Sequence, residues 1–159
     1  PELVDLAMVR SSNLAADQLC RNHSRGYQGC IRAMNQLAQH IGAHSTVLTD
    51  ATGLSPGNRS TAKDIARIVL EARNYPAIVA ASNKHHVWHN RQAHLNTNPL
   101  ASRYNTVVGK TGWTLRAGGC IAVLVDGRIY VLLGSNNTQT RVRELQELLA
   151  RYNRPTIES

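Results

Sequence analysis

Two short stretches carry the residue types best suited to chemistry. The first is Ser11-Ser12-Asn13, a hydroxyl and a carboxamide two positions apart; the second is Gly109-Lys110-Thr111-Gly112, inside the otherwise apolar run "VVGKTGWTLRAGGC". An extended strand bearing lysine, threonine and glycine in succession offers backbone groups and a hydroxyl to a peptide laid beside it, with an ammonium for a carboxylate. A Ser-x-Asn turn on the opposite side of a cleft would add a second hydroxyl and an amide. Acyl transfer needs these parts: an oriented hydroxyl, a proton acceptor and donors aimed at the developing oxyanion. Trp113, directly after Gly112, is placed to border such a groove.

The surrounding pattern predicts the elements that must hold these residues. Leu3, Leu6, Ala7, Leu14, Ala15 and Leu19 recur at helical spacing, with an interruption near Ser11 to Asn13. Tyr27, Ile31, Met34, Leu37, Ala38 and Ile41 give a second helix with Gly42 as its C-terminal stop. A third begins at Ser60-Thr61, carries Ile65, Ile68, Val69 and Ala72, and ends before Pro76. Between the second and third, "TDATGLSPGNRS" is rich in Gly, Pro, Ser and Asn and reads as loop. The last third changes period. "TVVGKTGWT", "GCIAVLV" and "RIYVLLG" read as three antiparallel strands, the last two joined by Asp126-Gly127, a strong hairpin signal. "TRVRELQELLARY" then gives an amphipathic helix through Val142, Leu145, Leu148 and Leu149. The sum is an α+β fold, a helical part beside a short antiparallel sheet backed by at least one helix.

At 159 residues the chain has the size of one domain, taken as residues 1–159. A net charge of +8 favours acidic partners, but the arginines are scattered, with no dense basic block or aromatic-interleaved basic ribbon. Nucleic acid is therefore not an expected partner. Cys20, Cys30 and Cys120 are odd in number and lack CxxC spacing, which argues against a zinc ribbon and a disulfide framework. The simplest expectation is three small core hydrophobes, with Cys20 and Cys30 the nearest pair if a bridge exists. No apolar run approaches the roughly 18 residues of a membrane span, and no signal peptide is visible.

The two triplets, in this order and on these elements, resemble the second and third motifs of the serine penicillin-recognising enzymes. "MVRSSNLAADQL", "YQGCIRAMNQLAQHIGAHSTVLTDATGLSPGNRSTAKDIARIV", "NTNPL" and "GKTGWTLRAGGCIAV" are similar to low-molecular-mass penicillin-binding proteins of the D-alanyl-D-alanine endopeptidase and carboxypeptidase type, over roughly residues 2 to 152. The resemblance implies a penicillin-binding transpeptidase-like fold with its site between helices and sheet. It implies peptidoglycan stem peptides as substrate, β-lactams as ligands, and work in the periplasm or cell envelope; no cofactor or metal is expected. Ser11 would then belong to the proton-transfer network, Asn13 would bond the substrate backbone, and Lys110 would steady carboxylate and hydroxyl groups. Thr111 and Gly112 would bind the extended peptide. The family's nucleophile is the serine of a Ser-x-x-Lys motif preceding Ser-x-Asn, and the expectation is that this motif and the first strands lie outside the chain. A short sheet with a bare edge would invite another strand, and the expected consequence is a homo-oligomer paired along it. A non-catalytic relative that binds stem peptides or a protein partner is the alternative.

Two other patterns compete for a role. Ser60-Thr61-Ala62-Lys63 is a literal Ser-x-x-Lys, but Ser60 or Thr61 is expected to cap the third helix, with Thr61-x-x-Asp64 at capping-box spacing. His85, His86 and His89 raise a metal alternative, since imidazoles four apart would share a face if helical and could bind zinc, with His94 close by. If Val87 and Trp88 mark a strand, the rings scatter. Trp88 is expected in the core or at its rim.

Overall fold

A computed structural model describes residues 2–102 and 106–152; residues 1, 103–105 and 153–159 of the expected 1–159 domain lie outside the description. The chain runs α1 (Glu2–Met8), α2 (Asn13–Arg21), α3 (Gly26–His40), α4 (Ala62–Ala72), α5 (Pro76–Ser82), β1 (His86–His89), β2 (Gln92–Leu95), β3 (Thr106–Thr114), β4 (Gly118–Val125), β5 (Arg128–Ser135) and α6 (Thr138–Tyr152). The α+β reading holds, and the sheet is helix-covered on both faces. The sheet order is β3-β4-β5, antiparallel throughout.

Period-2 alternation along β4 explains the layering. Ile121, Val123 and Val125 point to one face, where they pack with Tyr130 and with Leu145 and Leu149 of α6. Ala122 and Leu124 point to the other, against Val69 of α4 and Ile78 and Val79 of α5. A one-residue slip would exchange these faces, so register is tightly set. Asp126 and Gly127 both have positive φ, 48° and 74°, as a two-residue type I′ hairpin requires.

The predicted first helix is broken where its pattern faltered. The Val9 to Ser12 turn separates α1 from α2, with Ser11 at φ 59°. Ser12 then caps α2, its hydroxyl accepting from Ala15 N at 3.2 Å. Val9 carries the turn down into a small core with Leu6, Ala15 and Val87. The second helix ends as expected, with Gly42 at φ 81°. The stop before Pro76 is also real, but Pro76 itself opens α5 at a first-turn position where its missing N–H is harmless.

The cysteine expectation is corrected. Cys20 at the end of α2 and Cys30 in α3 form a disulfide, while Cys120 is free. Two helix ends packed side by side brought the sulfurs together, which an odd count hides. Trp88 is also corrected, since it is 64% exposed on β1. The histidines lie on a hairpin, not a helix. His86 stacks edge-on to Trp88, whereas His89 faces Glu2 at 3.5 Å. Among the described residues no group of three or more ligand-type side chains is gathered as around a metal ion. Thr61 is the α4 cap, its side chain accepting from Asp64 N at 3.2 Å; Ser60 Oγ is bonded to Thr46 Oγ1 at 2.8 Å and Lys63 is exposed. No helix among the described residues is long and apolar enough to cross a membrane.

Candidate active site

The α1–α2 turn, the strand β3 and the 50–58 loop border one cavity of about 590 Å³. Ser11, Asn13, Lys110, Thr111, Gly112 and Trp113, separated by up to a hundred residues in sequence, all line it. Among the described residues the strand is an edge strand, hydrogen-bonded to β4 on one side only. Its other side is therefore available to an extended chain. Gly112 lies against open space, since a Cβ there would meet nothing within 4 Å.

Lys110 joins the two halves. Its ammonium donates to Ser11 Oγ at 2.6 Å and to Thr111 O at 2.7 Å. Burial, and then the positive charge of Arg141, lower its pKa from 10.5 to about 8. A lysine so placed passes a proton more readily than an exposed one and can share it with the serine hydroxyl. Ser11 is held in the left-handed region, uncommon for a residue with a Cβ. Such backbone strain persists only where surrounding structure imposes it. Here Ser12 N donates to Leu6 O at 3.0 Å and Thr97 N to Val9 O at 2.9 Å, which clamps the turn from both sides.

Three contributors escaped the sequence reading. Arg141, on α6, is 6% exposed, yet it borders the cavity. Its Nη1 donates to Gly112 O at 3.2 Å and Cys120 O at 3.3 Å, and its Nε is buried without a partner among the described residues. A signal existed: Arg141, Leu145 and Leu149 are spaced at four, which puts the arginine on the helix's buried stripe. Thr97 is the second, its hydroxyl 2.7 Å from Thr111 Oγ1. Asp50 is the third. Burial alone would raise its carboxyl, but donors from Thr52 and Asn58 side chains and from Thr52 and Gly53 N–H groups hold it below its ordinary value. The loop wall is thus organised around one saturated carboxylate. Asn13, by contrast, is exposed at the cavity mouth and makes no side-chain hydrogen bond among the described residues.

A Ser-x-Asn turn facing a Lys-Thr-Gly edge strand, on a sheet sandwiched by helices, defines a domain of penicillin-binding transpeptidase-like fold. Penicillin-binding protein 5 from Haemophilus influenzae matches it with a TM-score of 0.82 at 26% identity, over 94% of this chain and 46% of that one. Penicillin-binding protein D2 from Listeria monocytogenes, in its ampicillin-bound form, shares the fold with a TM-score of 0.81 at 23% identity, over 94% of this chain and 65% of that one. A family model described as D-alanyl-D-alanine carboxypeptidase matches residues 1–133. The D-alanyl-D-alanine endopeptidase of Escherichia coli (strain K12) is 34% identical over 130 residues, which is 77% of this chain and 42% of that protein. The chain belongs to the D-alanyl-D-alanine carboxypeptidase family of peptidases. It spans 42% of the length of the curated relatives it matches.

Proposed function

We propose that this cavity binds peptides ending in acyl-D-Ala-D-Ala, the terminus of peptidoglycan stems, and forms part of a serine acyl-transfer site at the cell envelope. The observation that carries the reading is the 2.6 Å bond between Lys110 Nζ and Ser11 Oγ, which spans 99 residues of sequence and has no role in the core. Lys110 and Arg141 supply positive charge where the terminal carboxylate would rest, with the Thr111 hydroxyl beside them. The acyl arm then lies along β3, its backbone bonding the open edge through Thr111, Gly112 and Trp113, with the Asn13 carboxamide as second support. In the chemical step a nucleophilic hydroxyl adds to the scissile carbonyl and its proton moves through the Ser11–Lys110 pair to the leaving amine. By the family resemblance, that hydroxyl would be the serine of a Ser-x-x-Lys motif. The sequence has one literal Ser-x-x-Lys, at Ser60, whose hydroxyl does not line the cavity.

The alternative reading is recognition without turnover, in which these residues bind stem peptides or β-lactams and leave them intact. Intact mass after incubation with a β-lactam, alongside titration with a D-Ala-D-Ala peptide, separates the two. A stoichiometric adduct abolished by Lys110→Met supports acyl transfer, and peptide binding without adduct supports recognition alone. Failure to bind either ligand would remove both.

A further inference from the structure

The cavity does not end at Trp113. Where β3 gives way to its turn, a second depression of about 470 Å³ opens, and it shares Gly53, Leu54, Asn58 and Thr114 with the first. Its remaining walls include Leu115 and two arginines, Arg59 from the end of the loop and Arg116 from the β3–β4 turn. Both arginines are exposed, and among the described residues no acidic side chain lines the depression. Three arginines elsewhere in the fold form ion pairs: Arg21 with Asp17, Arg67 with Asp64 and Arg143 with Glu147. Arg59 and Arg116 have no ion-pair partner among the described residues, although they converge on one concave surface continuous with the substrate strand.

The direction of a bound peptide follows from the proposed function, on which this step rests. With the terminal carboxylate at Lys110 and Arg141, the acyl arm runs from Lys110 toward Thr114. At about 3.4 Å per residue, the four steps of strand cover roughly 14 Å, the length of about four extended peptide residues. We propose that Arg59 and Arg116 form an anionic subsite that takes a carboxylate carried on the acyl arm, three or four residues from the peptide's C-terminus. Leu54 and Leu115, 58% and 93% exposed, flank it and cover the aliphatic stem that carries such a group. The subsite selects acidic peptides over their amidated forms.

Calorimetric titration of the unmodified chain with two synthetic peptides decides this. Both end in D-Ala-D-Ala and differ only in a free carboxylate or a carboxamide three residues upstream. Two exposed charge-assisted contacts predict about 3- to 10-fold tighter binding of the acid, a preference that fades as salt rises. Arg59→Gln with Arg116→Gln abolishes the preference and leaves the affinity for the amide unchanged. Arg32→Gln with Lys63→Gln removes the same net charge elsewhere and keeps it. Equal binding of both peptides by the unmodified chain overturns the subsite while leaving the proposed function standing; a preference that survives the double arginine variant does the same. Binding of neither peptide overturns the proposed function and the subsite with it.

Discussion

Replacing Lys110 by methionine should stabilise the fold at neutral pH while emptying the cavity of its central charge. Burial and the nearby Arg141 bring the lysine from 10.5 to about 8. At about 1.4 kcal/mol per pH unit, the charged form at pH 7 carries a penalty on the order of 3 kcal/mol. Against that stand its bonds to Ser11 Oγ and Thr111 O, both of which water can replace at the cavity wall. The expected net gain for Lys110→Met is about 1–3 kcal/mol at pH 7, or roughly 2–10 °C in Tm for a chain of this size. Its signature is the pH dependence. The unfolded lysine keeps its proton up to 10.5 and the folded one releases it near 8. Between those values the unfolded state binds more protons, so the stability of the unsubstituted protein climbs with pH. The gap to the variant therefore closes from pH 8 to 10.5. Urea denaturation across pH 6 to 10, in a Cys120→Ser background to prevent thiol exchange, measures it. A gap that stays constant over that range, or a variant less stable at pH 7, would refute the reasoning.

Ser11→Gly relieves the positive φ and should raise stability by about 0.5–1 kcal/mol while weakening peptide binding, a split that thermal melts and titration read separately. Gly109→Ala places a Cβ 2.2 Å from Nδ2 of buried Asn98 and should destabilise by about 1–3 kcal/mol, measured by denaturation. Thr61→Ala should lose about 1 kcal/mol with the α4 cap, whereas Ser60→Ala should leave any β-lactam adduct intact by mass. Cys20→Ser with Cys30→Ser opens a link across 10 residues and should lower stability by about 2–3 kcal/mol.

The parts that the sequence made legible were those written in local chemistry. The break at Ser11, the loop before α4, the Asp126-Gly127 hairpin and the α6 stripe each carry a period or a turn residue that forces one answer. What stayed hidden depended on contacts between distant segments or on residues atypical for their place. The β1–β2 turn uses Asn90-Arg91, both at positive φ, where glycine would have been the visible signal. Residues 76–82 are too short to show a helical period, and only Pro76 hinted at a start. For the site, the motif residues were readable, but Arg141, Thr97 and Asp50 reach the cavity through tertiary placement. The disulfide belongs to the same class, since only the packing of α2 on α3 sets its sulfurs together.

That bridge has a practical bearing on every measurement named above. Asn13 begins the helix whose far end is bonded to Cys30, so thiol state governs how firmly one lip of the cavity is seated. Protein made in a reducing cytosol and protein made by export would be two samples of one sequence. Counting free thiols before titrating ligand, one for the oxidised form and three for the reduced, tells the experimenter which of them is in the cuvette.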